Sequence, residues 1–377
     1  MVDERRYSIF DEKILRDELD ALHANPVHID STWRFILAHK NAEAYDTPDL
    51  PLRVRTLFST KFKTMTSYVH TQHDSLDGRT TKLLIKFQNG LSAEAVIIRH
   101  DSSAGKYAGG PRTGAARATL CVSSQVGCKM GCTFCATGTM GFKGNLSAGE
   151  IVEQLVHASQ ITSIRNVVFM GMGEPMNNYF AVVQAVKTMT GRCFQLSRKH
   201  ITVSTVGIIP KIIALKADLP DVSLAISLHA PTQELRAEIV PAARSFPLSK
   251  LIAAVDAYLV GSKSTVFMEY VMLAAVNDGQ EHAHQMGKLL NGRKVVVNLI
   301  PYNPTTVTMQ FKASGSTEVL KFQKILKEVY GIRTTVRQEM GQDIDGACGQ
   351  LHVSHLSNKP SRPNSTVLDI EDLGLIK

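Results

Sequence analysis

Three cysteines within eight residues, Cys128-Lys-Met-Gly-Cys132-Thr-Phe-Cys135, are the part of this chain best suited to metal or redox chemistry. A tight C-x3-C-x2-C loop brings three thiolates to one point, where they can hold three irons of a cubane iron–sulfur cluster. Such a cube ordinarily takes four cysteines. Three leave one iron open to an outside ligand, which points to chemistry rather than electron storage. The other reading is a structural zinc with Cys121 as fourth ligand. Zinc ligands usually come as two separated pairs, whereas Cys121 stands seven residues before Cys128, and the only nearby histidine downstream, His157, falls in an expected helix. The spacing favours iron–sulfur. Six cysteines in 377 residues, four of them within fifteen, do not read as a disulfide framework. Thiols this close call for a reducing compartment.

The elements that would hold this loop follow from the hydrophobic pattern. From Leu120 to about Val353, short apolar runs alternate with amphipathic stretches. Asn166-Val-Val-Phe-Met170 precedes an expected helix near 178–190, and His200-Ile-Thr-Val-Ser204 one near 208–217. Val222-Ser-Leu-Ala-Ile-Ser-Leu228 precedes a helix after Gln233, and Thr265-Val-Phe-Met-Glu-Tyr-Val-Met272 one near 278–291. Lys294-Val-Val-Val-Asn-Leu-Ile300 and Thr334-Thr-Val-Arg337 complete the series around a helix at 316–330. Continuous apolar strands alternating with helices mean a parallel sheet covered by helices. With a strand near Leu120 there are about seven, which fits a partial (β/α) barrel better than a closed eight-stranded one. In barrels the chemistry sits where strands end. Four small or polar clusters fall at those ends: Gly171-Met-Gly173-Glu174-Pro175, Ser204-Thr-Val-Gly207, Ser227-Leu-His229 and Pro301-Tyr-Asn303.

Ahead of the barrel, residues 8–63 read as helical, with Phe10, Ile14, Leu15, Leu19 and Leu22 at helical spacing and a second apolar face at Trp33-Arg-Phe-Ile-Leu37. Lys82–Phe87, a Gln88-Asn-Gly90 turn and Ala93–Ile98 make a hairpin. The Gly-rich stretch 104–114 lacks the Gly-Lys-Ser/Thr ending of a phosphate loop and reads as a mobile linker. The expected organisation is an N-terminal helical, RNA-binding region at 1–66, hairpin and linker at 67–118, barrel at 119–356 and a disordered tail at 357–377. His282 and His284 read as surface residues on a helix, and Cys193 as structural.

A net charge of +8 allows a polyanionic partner. Basic residues cluster around the cysteine loop and before strand-like segments, among them Arg99, Lys106, Arg112, Arg117, Lys129, Lys143, Arg198 and Lys199, which favours nucleic acid. No run approaches the roughly 18–20 apolar residues of a membrane helix, and the early acidic residues of Met1-Val-Asp-Glu-Arg-Arg argue against a cleaved targeting segment. A cytoplasmic protein without a membrane is expected, or an organellar one where a targeting segment has been removed.

Taken together the motifs resemble the radical S-adenosylmethionine superfamily: C-x3-C-x2-C after the first barrel strand and Gly-Glu-Pro after the second. More narrowly, Cys121-Val-Ser-Ser-Gln-Val-Gly-Cys128, Gly171–Pro175, Ala225-Ile-Ser-Leu-His-Ala230, Glu269–Met272 and Asp343-Ile-Asp-Gly-Ala-Cys348-Gly-Gln-Leu351 resemble the RlmN/Cfr family, from about Ser67 to Leu351. The resemblance implies an RNA methyltransferase acting on adenine of large-subunit ribosomal RNA, with transfer RNA as a further substrate. It implies a 4Fe-4S cluster on Cys128, Cys132 and Cys135, two S-adenosylmethionines per turnover, an electron donor of the flavodoxin or ferredoxin kind, and a monomer. Adenine's amidine carbon is electrophilic, so a methyl cation cannot simply be delivered to it. The family's solution, carried over, makes Cys348 a methyl acceptor by nucleophilic displacement. A 5′-deoxyadenosyl radical from the second S-adenosylmethionine then takes hydrogen from that methyl, and the methylene adds to the ring. Cys121 resolves the adduct, forming a disulfide with Cys348, and Glu94 matches the proton-accepting position. Gly173, Glu174, Ser204, Ser227, Leu228, His229 and Asn303 match positions that contact S-adenosylmethionine. The matches lean to methylation at C2. The C8-methylating relative shares the same motifs, and a zinc-stabilised RNA-binding module without catalysis is the alternative of another class.

Overall fold

Strands made of Val, Ile and Phe buried on both faces need cover on both sides, and that requirement organises the chain. The computed structural model describes residues 6–100, 117–261, 264–305, 310–338 and 340–352; the expected linker at 104–114 and the tail from 357 lie outside them. One ten-stranded sheet runs in chain order: β1 (Ser67–Asp74), β2 (Thr80–Phe87), β3 (Ser92–His100), β4 (Arg117–Cys121), β5 (Ile164–Phe169), β6 (Ile201–Thr205), β7 (Ser223–Ser227), β8 (Val266–Met272), β9 (Val295–Pro301) and β10 (Thr334–Val336). The pairs from β1 to β4 are antiparallel and those from β4 to β10 parallel.

The parallel part is the expected barrel, with seven strands. Helices Ala148–Ser159, Tyr179–Met189, Ile209–Asp218, Gln280–Leu290 and Ser316–Lys324 follow successive strands. The β7–β8 connection carries two helices, Gln233–Ile239 and Leu248–Leu259, where the sequence reading named only the first. Val167, Phe169, Val203, Leu224, Ile226, Met268, Val297 and Leu299 are buried between the layers. In a flat sheet β4 and β9 would lie about 24 Å apart at about 4.8 Å per strand. Instead the ends of β4 through β9 border one cavity, so the sheet curls into an open barrel with free edges at β1 and β10.

The hairpin has a third strand, β1, and it is part of the barrel's sheet rather than a separate unit. Val96 pairs with Cys121, and Cys121 in turn with Val168. Of the N-terminal helices Glu12–Ala21, Val27–Ala38 and Leu52–Lys61, the first packs against the second barrel helix, Tyr179–Met189, where Thr188 Oγ1 donates to Glu12 Oε2 at 3.1 Å. Phe10 stacks between Trp33 and Phe194 at 5.9 Å from each. Asp11 accepts the Gly149 N–H at 2.6 Å. A Cβ on Gly149 would stand 2.4 Å from that of Ser8, so only glycine lets the two segments meet. Among the described residues no helix is long and apolar enough to cross a membrane.

Candidate active site

The cysteine loop begins where β4 ends. Gln125–Cys128 pairs antiparallel with Gly141–Asn145, a two-stranded clip the sequence reading missed, and the clip closes the loop that carries Cys132 and Cys135. Gly127 makes it possible: its φ is +71°, and a Cβ there would lie 1.8 Å from the Gly141 carbonyl oxygen. The loop is fastened on two sides. Thr133 N–H donates to Ile239 O at 3.0 Å, and Ala136 N–H to Gly349 O at 2.8 Å. Thr137 Oγ1 donates to Leu351 O at 2.7 Å. The last two bonds bind the cysteine loop to the loop that carries Cys348.

Cys128, Cys132 and Cys135 all face one cavity, together with Glu174. Burial above all holds these thiols above their ordinary range, Cys128 at about 12. The charges of Glu174 and Cys135 add to it at Cys128, those of Cys135, Cys128 and Glu174 at Cys132, and that of Cys348 at Cys135. A set of thiols that raise one another's pKa calls for a bound cation to deprotonate them. Cys121 stands apart from that set. Its thiol, pushed up to about 12 by burial, interacts with Cys348 and Arg337 instead. Three soft ligands in one loop, without Cys121 as a fourth, fit a cluster held by three cysteines better than a four-ligand zinc. Among the described residues no three His, Cys, Asp or Glu side chains converge on a single-ion site.

Opposite the cysteine loop lie the strand-end clusters. Gly173 has φ +97°, and a Cβ there would stand 2.5 Å from Gln125 Cβ. Gln125 Oε1 in turn accepts the Glu174 N–H at 2.9 Å. Glu174 is buried, and its two oxygens accept from Met176 N and Val206 N, each at 2.9 Å. Burial pushes its pKa up to about 7. A carboxylate destabilised in this way gains most from a cationic partner such as an ammonium group. Ser204 Oγ and Ser227 Oγ lie 3.5 Å apart across β6 and β7. His229 adopts φ +59°. Its Nδ1 accepts the Val271 N–H at 3.1 Å, and burial with the charge of Arg236 drives its pKa down to about 3. The ring is therefore neutral with the proton on Nε2, a fixed donor.

Cys121 is buried and Cys348 exposed, yet both border this cavity, and all six cysteines are free thiols. Arg337 and Glu269 border it as well. Burial opposes the Arg337 charge, but Cys348, Glu269 and Cys121 raise its pKa. Asn303 Nδ2 donates to Cys348 O at 3.1 Å and Gln342 Nε2 to Asn303 Oδ1 at 2.7 Å, so a cofactor-side residue steadies the Cys348 loop. The same loop is tied to the hairpin. Leu76 N–H donates to Asp343 Oδ2 at 2.8 Å, and His352 N–H to Glu94 Oε2 at 2.9 Å. Lys82 Nζ stands 3.4 Å from Glu94 Oε1.

Glu94 is outside the cavity lining, two residues along β3 from Val96, which lines it on the same strand face. Burial raises its pKa and Lys82 counteracts. Leu228 is a core side chain whose N–H donates to Glu269 O at 3.0 Å; it is outside the cavity lining. Every other site residue named from the sequence lines the cavity. A second cavity adjoins the first, lined by His100, Arg117, Arg337 and Cys348 among others, so that Cys348 and Arg337 border both. Sequence reasoning missed Arg236, Arg337 and the role of Glu269. Only Glu269 left a signal, an acid inside an otherwise apolar strand.

Residues 122–285 match the model of the radical SAM superfamily. The chain is 42% identical over 313 residues to the ribosomal RNA large subunit methyltransferase N of Nitrosopumilus maritimus, covering 81% of this chain and 86% of that one. It is 44% identical over 294 residues to the dual-specificity RNA methyltransferase RlmN of Alcanivorax borkumensis, covering 74% and 72%. The crystal structure of a radical SAM methyltransferase from Sphaerobacter thermophilus superimposes with a TM-score of 0.82 at 34% identity, over 92% of this chain and 99% of that one.

Proposed function

Because this chain belongs to the RlmN family of radical SAM RNA methyltransferases, we propose that it methylates C2 of an adenine in large-subunit ribosomal RNA and in transfer RNA, with Cys348 as the methyl carrier. The observation that carries this reading is the place of Cys348 between two cavities. One holds the cysteine loop, Glu174 and His229; the other, with His100 and Arg117, offers basic walls to a nucleotide.

In this reading Cys128, Cys132 and Cys135 hold a 4Fe-4S cluster, which with two S-adenosylmethionines per turnover supplies the methyl group and the one-electron chemistry that activates it. Glu174 receives the cofactor's ammonium group, relieving its own burial. The His229 Nε2–H and the hydroxyls of Ser204 and Ser227 give donors for its carboxylate and ribose, and Gly173, Leu228 and Asn303 shape the remaining contacts. Cys348, on an exposed loop, accepts the methyl group on its sulfur, with Arg337 bordering the same two cavities. Cys121 is kept protonated by burial until the adduct forms. Its sulfur then attacks the Cys348 sulfur, the S–C bond to the RNA breaks as the disulfide forms, and the departing carbon takes up the proton that Cys121 gives up, leaving a methyl group. Glu94, already biased toward holding a proton, is the acceptor for the ring hydrogen, with Lys82 offsetting its charge beforehand.

The N-terminal helices at 1–66 and the hairpin grip folded RNA, since the barrel's polar residues are committed to the cofactors. The hairpin–linker region at 67–118, the barrel at 119–356 and the tail at 357–377 complete the division. A flavodoxin or ferredoxin serves as electron donor to a cytoplasmic monomer. Cys121→Ala should still be methylated at Cys348 but accumulate a covalent protein–RNA adduct on denaturing gels, whereas Cys348→Ala should give neither methyl-cysteine peptide nor adduct. Free methylated RNA at parental rates from the Cys121 variant contradicts the division of labour.

A further inference from the structure

We propose that Arg236 is a positioning residue for the iron–sulfur end of this site: its buried guanidinium holds the strand-end carbonyls that frame the cofactor and leaves a positive charge beside Cys132 that favours the reduced cluster. The inference rests on the three-cysteine cluster reading above. Arg236 projects from the helix Gln233–Ile239 and is 0% exposed, the largest fully buried side chain among the described residues. Burying a guanidinium is costly unless its hydrogens and its charge are both met.

Its hydrogens are largely met. Nε donates to Leu228 O at 3.0 Å, and Nη2 to Val206 O at 2.6 Å and Ser227 O at 3.2 Å. These carbonyls flank the residues that carry the site. Ser227 and His229 bracket Leu228, and the Val206 N–H is the group that Glu174 accepts. One fork thus sets β6 and β7 relative to each other at the level of the cavity.

Its charge is not met by the chain. Among the described residues no carboxylate pairs with it, and Nη1 has no hydrogen-bond acceptor. His229, its titratable neighbour, is neutral and cannot serve. What lies against the helix of Arg236 instead is the cluster ligand Cys132. Its side chain packs in the same apolar cluster as Ile239 and Val240, and the Thr133 N–H ties its loop to Ile239 O at 3.0 Å.

A cluster on three thiolates gains a further negative charge on reduction. A fixed cation in a low-dielectric wall stabilises that added electron more than the oxidised state. Arg236 therefore raises the cluster's potential, which eases electron delivery from the donor.

The test is an EPR-monitored redox titration of the anaerobically reconstituted full-length protein and two variants, alongside iron and sulfide content. Arg236→Gln keeps donors without charge and is expected to shift the one-electron equilibrium at least tenfold toward the oxidised cluster, about 59 mV to more negative potential. Arg236→Lys keeps the charge and should titrate with the parent, although it loses thermal stability with the fork. A fully loaded Gln variant with the parental potential overturns the proposal, and so does a Lys variant shifted tenfold. Should the Gln variant take up no iron, the Lys variant decides on the same criterion. A parent protein without iron and sulfide would instead sink the cluster reading itself.

Discussion

Glu153 fastens the N-terminal segment to the barrel, and replacing it with glutamine should make the protein more stable as pH rises. The Glu153 carboxylate is fully buried on the helix Ala148–Ser159. It accepts from Ser8 Oγ at 2.6 Å, Thr66 N at 2.8 Å, Thr66 Oγ1 at 2.9 Å and, on its other oxygen, Ser67 Oγ. Burial outweighs these bonds and pushes its pKa from 4.5 to about 7. The folded chain then holds the proton more tightly than the unfolded chain. This contribution to stability is present in full below pH 4.5 and is lost as pH rises to 7. At about 1.4 kcal/mol per unit the loss amounts to about 3 kcal/mol.

Glu153→Gln imitates the protonated form permanently. Its Oε1 takes the three donors from Ser8 and Thr66, and its Nε2 donates to Ser67 Oγ, whose own hydrogen turns to His157 Nε2 at 3.0 Å. Burial keeps His157 neutral, with a pKa of about 4. The variant should exceed the parent by about 1 kcal/mol at pH 5.5 and about 3 kcal/mol at pH 8. Urea denaturation followed by circular dichroism at both pH values measures the difference. A variant less stable than the parent at pH 8, or an advantage that does not change with pH, refutes the reasoning.

Two further substitutions probe the site's supports. Gly173→Ala places a Cβ 2.5 Å from Gln125 Cβ at a φ of +97°. It should cost about 1–3 kcal/mol in strain and abolish S-adenosylmethionine binding in equilibrium dialysis; parental binding would show that the Gly-Glu-Pro turn does not form the cofactor's seat. Lys82→Met leaves Glu94 buried without its cation, and with Lys82 14% exposed the loss should be about 2–3 kcal/mol, below the usual range for a buried pair. Limited proteolysis should then cut near Cys348 faster. Unchanged cleavage would mean that the hairpin does not hold that loop.

The strand–helix alternation was legible because each parallel strand is an unbroken apolar run. Predicted Lys294–Ile300 and observed Val295–Pro301 differ by one residue. The cysteine loop and the strand-end clusters were legible because spacing puts their residues on one rim. The clip at Gln125–Cys128 was not, since its partner Gly141-Phe-Lys-Gly-Asn145 carries little strand propensity and forms only because Gly127 admits the Gly141 carbonyl. Strand β1 was hidden by its exposed edge, where Gln72, His73 and Asp74 leave no apolar face. Arg236 and Arg337 were invisible for another reason. A buried cation announces itself only through the carbonyls and thiols that the fold brings to it, and these are distant in sequence. Glu94 was placed by resemblance alone, and the structure puts it outside the cavity lining, next to it on the same strand face.

The claim that Cys348 carries the transferred carbon is tested most directly by a label chase. Cys348 is loaded with a carbon-13 methyl group from labelled S-adenosylmethionine, the labelled cofactor is exchanged for unlabelled, and RNA and reductant are added for one turnover. Mass spectrometry should find carbon-13 in 2-methyladenosine and none left on the Cys348 peptide. Unlabelled 2-methyladenosine, with the label still on Cys348, would contradict the account.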